Sequence, residues 1–266
     1  MRTYAIMNQK GGVGKTTSAA ALAYNLAVVH GERVLLIDCD SQGDLTGLLL
    51  APDTIHTDDS ERPNLVDVMT GRIWMYEPIY HTAYRHLDIL PAMESLVDWE
   101  LSCSLGDTQP NCLALRDYLE ELKADGRYSR VIMDLPPNSS PTCIAALAAA
   151  DEVIIPTGLD AFSAGGVGKL VKQISRINRA CPDVHIAGVL VTQYHRADVA
   201  ADAVTTLRSD SPVPVYETMI RRSDKATEST WAGMPVGAWS PRSAPARDYQ
   251  AWVRELLERE EAEYGL

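Results

Sequence analysis

Short aliphatic runs alternate along this chain with longer amphipathic or alanine-rich stretches, and that alternation predicts its architecture. Tyr4 to Met7, Arg33 to Ile37, Leu87 to Leu90, Arg130 to Met133, Val153 to Ile155 and Ile186 to Val191 have the composition of strands buried on both faces. The segments between them are long enough for helices, so the expected fold is α/β: a single doubly wound, mostly parallel sheet with helices on both faces. Thr16 to Val29, alanine-rich and free of proline and internal glycine, predicts the first helix. Ala51 to Asn64 and Ser102 to Asn111, polar and proline-bearing, predict surface loops.

Composition narrows the class. With 266 residues and 46% hydrophobic content the chain can bury the core of one large domain spanning 1–266. Cys39, Cys103, Cys112, Cys143 and Cys181 are odd in number and form no C-x-x-C pair, which suggests neither a zinc site nor a disulfide framework and points to reducing cytosol. No apolar run reaches the roughly 18 residues of a membrane span, and the N-terminus enters a strand without a signal peptide, so a cytoplasmic protein is expected. A formal net charge of −12 opposes any global attraction to DNA or anionic lipid and confines such binding to a local basic patch.

The candidate chemistry sits between the first strand and the first helix. Lys10-Gly11-Gly12-Val13-Gly14-Lys15-Thr16-Thr17 follows the phosphate-loop pattern G-x-x-x-x-G-K-[ST] except that Gln9 replaces its opening glycine, and a second lysine precedes the glycines. Gly11, Gly12 and Gly14 allow successive amides to turn inward on phosphate oxygens. Lys15 suits the β- and γ-phosphates, the Thr16 hydroxyl suits Mg²⁺, Thr17 suits the α-phosphate, and the helix beginning there adds its positive end. Two further strands run into carboxylates, at Asp38-Cys39-Asp40 and at Asp134-Leu135-Pro136-Pro137. Each could hold a metal-bound water, orient an attacking water, or cap the helix that follows.

These residues resemble the ParA/MinD type of deviant Walker A ATPases, and most of all the Soj-like ParA partition ATPases. The resemblance rests on the loop, on Asp38-Cys-Asp-Ser-Gln-Gly and on Asp134-Leu-Pro-Pro, and covers nearly the whole chain. Ile220 to Lys225 with Glu228, and Ser240 to Ser243 leading to Tyr249, are looser matches. It implies that ATP and Mg²⁺ join two subunits in a sandwich, with Lys10 crossing to the partner's phosphates and Gly12 at the closest approach. It also implies Asp38 as the water-orienting residue beside the metal, Asp134 as outer-shell Mg²⁺ ligand, Thr16 as direct ligand, and Asp40 to Asp44 as a switch segment. Ser41 and Asp44 stand where proline and asparagine are commoner. Adenine is expected near Thr192 and Ile220 to Arg222, although Arg221 replaces a frequent proline.

A partition ATPase binds DNA without sequence preference as its ATP dimer, and a ParB-like centromere-binding partner stimulates its otherwise slow hydrolysis. Arg196, Arg221, Arg222 and Lys225 are the candidate DNA contacts; Lys169, Lys172 and Arg176 are weaker ones. An ordinary solvated loop is the bland alternative. The resemblance also implies a nucleoid-associated protein of plasmid or chromosome segregation, with no extra N-terminal DNA-binding domain. Alternatives within the family are a MinD-like membrane-positioning protein, a positioner of protein cargo, and a nucleotide-gated binding module. The C-terminus discriminates: Tyr249, Trp252, Val253, Leu256 and Leu257 form an apolar stripe, but Glu255, Glu258, Glu260, Glu261 and Glu263 fall opposite it, whereas a membrane helix needs Lys and Arg there. That helix is expected to pack on the domain.

Overall fold

The computed structural model describes residues 1–51, 62–73, 75–159, 167–172, 174, 184–196 and 198–265. All six expected runs are strands of one sheet: β1 (Arg2–Ile6), β2 (Val34–Asp38), β4 (Leu87–Leu90), β5 (Arg130–Asp134), β6 (Glu152–Thr157) and β7 (His185–Val191). A seventh, β3 (Tyr80–His81), is too short to leave a periodic signal and pairs antiparallel at the edge. The order is β3-β4-β2-β5-β1-β6-β7, and every other pairing is parallel.

Alternate residues of each central strand serve different layers, which is why the runs are apolar throughout. Ala5, Leu35, Val131, Val153 and Val189 face one core. It is closed by α3 (Leu65–Met69), α4 (Ser95–Leu105), α5 (Ala114–Asp125) and α6 (Pro141–Ala149) through residues such as Leu65, Trp99, Leu119 and Leu147. Tyr4, Leu36, Ile132, Ile154 and Leu190 face the other. There α1 (Lys15–Tyr24), α2 (Asp44–Leu49) and α10 (Ala244–Tyr264) contribute Leu22, Leu45 and Trp252. Further helices among the described residues are α7 (Asp198–Asp210), α8 (Asp224–Trp231) and α9 (Val236–Trp239), and residues 167–172 are helical as well.

Three expectations are corrected. The first helix is α-helical only to Tyr24; Asn25–Val29 is π-helical, opened around buried Asn25, whose Nδ2 donates to the Ala21 carbonyl at 2.7 Å. The polar stretch Ser102 to Asn111 is not loop throughout, because α4 runs on to Leu105 and ends where Gly106 takes a left-handed φ of 85°. The glutamates of α10 do not all face solvent. Glu260 falls on the apolar stripe, is buried, and meets Arg130 Nη1 at 2.6 Å and the Tyr4 hydroxyl, while Glu255 turns toward residues 217 and 218. Of the expected loop Ala51 to Asn64, residues 52–61 lie outside the described residues, as do Arg176 and Cys181.

The apolar stripe of α10 is sealed against the sheet. Tyr249, Trp252, Val253 and Leu256 are buried and Leu257 half-buried, with Trp252 edge-on to Tyr216 at 5.8 Å between ring centroids. Among the described residues no helix is long and apolar enough to cross a membrane. Trp252→Ala should cost about 3–5 kcal/mol of stability in a urea melt. A loss below about 1 kcal/mol would mean that α10 does not close this core.

Candidate active site

The loop after β1 opens into a helix whose N-cap residue has no side chain to cap it. Gly14 takes φ 83° at the N-cap of α1, and no acidic residue lies in the first turn. Gly12, with φ 71°, provides the second left-handed step. The first amides of α1 therefore face a cavity of about 910 Å³ lined by Gly12, Gly14, Lys15, Thr16 and Thr17 at one end and Ile220, Arg221 and Arg222 at the other. An uncapped helix N-terminus beside a buried lysine is an anion site, and the cavity is large enough for a nucleotide.

Neighbouring segments hold the loop rigid. Val13 is buried beneath it, and its carbonyl accepts from the Thr192 hydroxyl at 2.7 Å; the Gly12 carbonyl accepts from Gln193 Nε2 at 2.5 Å. Thr192 thus lines the cavity with its hydroxyl turned to the loop's main chain. Asn8 donates to the Pro156 carbonyl at 2.7 Å and accepts from the Lys10 amide at 3.0 Å, fixing the backbone from which Lys10 projects. The side chain of Lys10 is exposed and outside the cavity lining, whereas Lys15 is buried and within it.

Asp38 and Asp134 end adjacent strands at the same level of the sheet, Cα against Cα in the parallel register. Both are buried. Asp38 accepts from the Thr46 amide and hydroxyl, each at 2.8 Å, and from the Asp40 amide at 3.1 Å, and Thr46 Oγ1 accepts in turn from the Ala92 amide at 3.1 Å. Burial pushes the Asp38 carboxyl up to about 7 against the pull of the Thr46 hydrogen bonds. Burial likewise drives Asp134 well above the carboxylate range and the neighbouring Asp38 adds to it, while the Thr16 hydroxyl and the Lys15 charge pull it down. Asp134 Oδ1 has no hydrogen-bond partner. An orphaned, buried carboxylate oxygen beside a threonine hydroxyl fits a hydrated divalent cation, which would satisfy it through water. No cluster of three His, Cys, Asp or Glu that could hold a metal occurs among the described residues, so such a cation would depend on Thr16 and on phosphate oxygens.

A family profile described as an AAA domain matches residues 1–186. The chain is 35% identical over 263 residues to the chromosome partitioning protein ParA of Caulobacter vibrioides, covering 98% of this chain and 95% of that one. The chain belongs to the ParA/MinD-type deviant Walker A ATPase family. It is also 30% identical over 262 residues to the chromosome-partitioning ATPase Soj of Treponema pallidum, covering 97% and 98% of the two chains. A solved cobyrinic acid a,c-diamide synthase from Mycobacterium smegmatis with bound ATP analogue and magnesium superimposes with a TM-score of 0.82 at 28% identity, covering 100% of this chain and 97% of that one.

The basic residues of this ParA/MinD-type chain fall into two groups. Arg221 is committed to Asp248 at 2.6 Å, and Lys225 to Glu228 at 2.6 Å. Arg196 and Arg222 are exposed, and among the described residues no carboxylate pairs with either. Lys169 and Lys172 are exposed on a separate helical stretch. Thr46, Gln193, Asp248 and Asn8 carry no motif and escaped the sequence reading. Gln193, directly past the tip of β7, could have been found from its position at a strand's carboxyl end.

The raised Asp38 value has a consequence for stability. Between about pH 4 and pH 7 the folded, nucleotide-free protein retains a proton that an unfolded aspartate has released, so this contribution to stability is full at low pH and fades as pH rises through the folded value. Asp38→Asn abolishes the titration. In EDTA without nucleotide, its Tm relative to wild type should therefore move upward between about pH 5.5 and about pH 8. A flat or falling difference would show Asp38 already ionised over that range.

Proposed function

We propose that this chain is an ATPase of plasmid or chromosome partition that dimerises on ATP, holds DNA without sequence preference in that state, and lets go when a ParB-like partner stimulates hydrolysis. The observation that carries this reading is the split between the two lysines of the loop, Lys15 buried in its own cavity and Lys10 exposed beyond it. A cation at that rim is placed to serve a nucleotide in a facing subunit, where a closed, low-dielectric interface strengthens its attraction for phosphate. The relatives named as chromosome partitioning proteins support the cellular role, and the ATP analogue and magnesium of the solved relative support the ligands.

In this mechanism the loop amides and Lys15 bind the phosphates, and Thr16 and Asp134 would hold magnesium, which would supply neutralisation of phosphate charge. Asp38 orients the attacking water from a carboxylate that Thr46 keeps fixed. Arg196→Glu and Lys10→Ala separate the steps, since Arg196 lies outside the cavity lining. Wild type should bind plain duplex DNA with ATP and not with ADP, Lys10→Ala should lose both ATP-dependent dimerisation and DNA binding, and Arg196→Glu should dimerise but bind DNA weakly. Arg196→Ala should also shallow the salt dependence by about 0.9 log units per lost phosphate contact. DNA binding indifferent to nucleotide and to both substitutions would overturn the partition reading, and ATP-dependent binding to anionic liposomes would transfer the protein to the membrane-positioning reading.

A further inference from the structure

The segment that forms the far wall of the nucleotide cavity is laced along the C-terminal helix by a series of polar contacts. Arg259 Nη2 donates to the Val215 carbonyl at 3.1 Å, and its guanidinium lies 4.3 Å from the centroid of the Tyr216 ring. Glu255 accepts from the Glu217 and Thr218 amides, both at 2.8 Å. Asp248 accepts from the Arg221 amide at 2.9 Å and from its Nε and Nη2 at 2.8 and 2.6 Å. Residues 248, 252, 255 and 259 are spaced i, i+4, i+7 and i+11, so these contacts and the Trp252 ring beneath Tyr216 share one face of α10. The segment 215–221 and the helix thus run side by side in opposite directions.

The last of these contacts sits at the cavity. Ile220 and Arg222 use their main chain on the sheet side: the Ile220 amide donates to Val191 at 2.8 Å, the Ile220 carbonyl accepts from Tyr194 at 2.9 Å, and the Arg222 amide donates to Tyr194 at 2.8 Å. In extended chain the intervening Arg221 amide must point the opposite way, where no strand among the described residues receives it. Asp248 supplies an acceptor there: its Oδ2 accepts from both the Arg221 amide and Nε, and its Oδ1 accepts from Nη2. Asp248 itself does not line the cavity, whereas Ile220, Arg221 and Arg222 do.

We propose that Asp248 is a positioning residue for the nucleotide: from α10 it holds the wall 220–222 in its binding conformation without touching the ligand, so that nucleotide affinity depends on a side chain outside the cavity. A wall ordered before binding avoids the ordering cost that a loose loop imposes on every binding event. Arg221 then belongs to this clamp and not to a DNA surface. The inference rests on the cavity being the nucleotide site and is independent of dimerisation and DNA.

The test is calorimetric titration with ADP and magnesium. Asp248→Ala should weaken ADP about tenfold, the loss expected when a charge-assisted clamp is removed from one wall, and in ATP hydrolysis KM should rise while kcat stays within about twofold. Glu255→Ala removes the equivalent contact one step from the cavity and should lower Tm comparably while leaving ADP affinity near wild type. Asp248→Asn, which keeps an acceptor for the Arg221 amide, should fall between wild type and Asp248→Ala, and it carries the test if the alanine variant does not fold. Wild-type affinity in both Asp248 variants, or an equal loss in Glu255→Ala, would overturn the proposal. Wild type that binds no ADP would sink the nucleotide reading with it, whereas ADP binding sensitive to Asp248 in a protein that ignores DNA would leave this inference standing and remove only the partition role.

Discussion

Everything at the carboxyl edge of the sheet depends on groups that the fold leaves unsatisfied. The first turn of α1 receives no cap from its N-cap glycine, and Asp134 has a buried oxygen with no donor among the described residues, where an unpaired polar group costs about 1–3 kcal/mol. One set is electropositive, the other electronegative, and Lys15 and Thr16 stand between them. A phosphate chain with its cation would satisfy both at once. The site is therefore a folding liability that a ligand relieves, and ligand binding must stabilise the fold by mass action.

That liability is tolerated because the surroundings are rigid. Val13 and Gly12 are tied to the end of β7, Asn8 ties the loop entry to β6, and the Ser18 hydroxyl meets the Tyr249 hydroxyl of α10 at 3.0 Å. Asp38 is connected through Thr46 to the start of the segment leading into α4. The same carboxylate thus reports on α2 and on the β4–α4 connection, so the segment Asp40 to Asp44 cannot move without disturbing the hydrogen bonds that govern its protonation. Burial and the two Thr46 bonds oppose each other at Asp38, and its raised value shows that burial wins.

What was legible in the sequence is what is contiguous in it. The strands were readable because residues buried on both faces leave unbroken apolar runs, and the loop was readable because its glycines, lysines and threonines act together within eight positions. The placement of Asp38 and Asp134 at strand ends followed from the apolar runs that lead into them. The partners were not readable. Thr46 lies eight residues from Asp38, Asp248 lies 27 from Arg221, and Thr192 lies 179 from Val13. Each of these is an ordinary polar residue whose role is set by tertiary contact. Glu260 misled the helical-wheel reading for the same reason: a glutamate on an apolar stripe reads as an interruption until Arg130 and Tyr4 are seen opposite it.

Electrostatics also limits how this chain can meet a polyanion. At a net charge of −12 the mean field repels DNA, and two of the four cations expected to contact it are neutralised locally, Arg221 by Asp248 and Lys225 by Glu228. Of those four, Arg196 and Arg222 are left, with Lys169 and Lys172 exposed on a separate helical stretch, short of the roughly 6–10 contacts that give strongly salt-dependent complexes. Pairing two subunits, as proposed, would double the count and bring a second pair of arginines to the same duplex at high effective concentration. On the proposed reading, the shortage of unpaired candidate cations among the described residues is itself a reason for DNA binding to follow dimerisation.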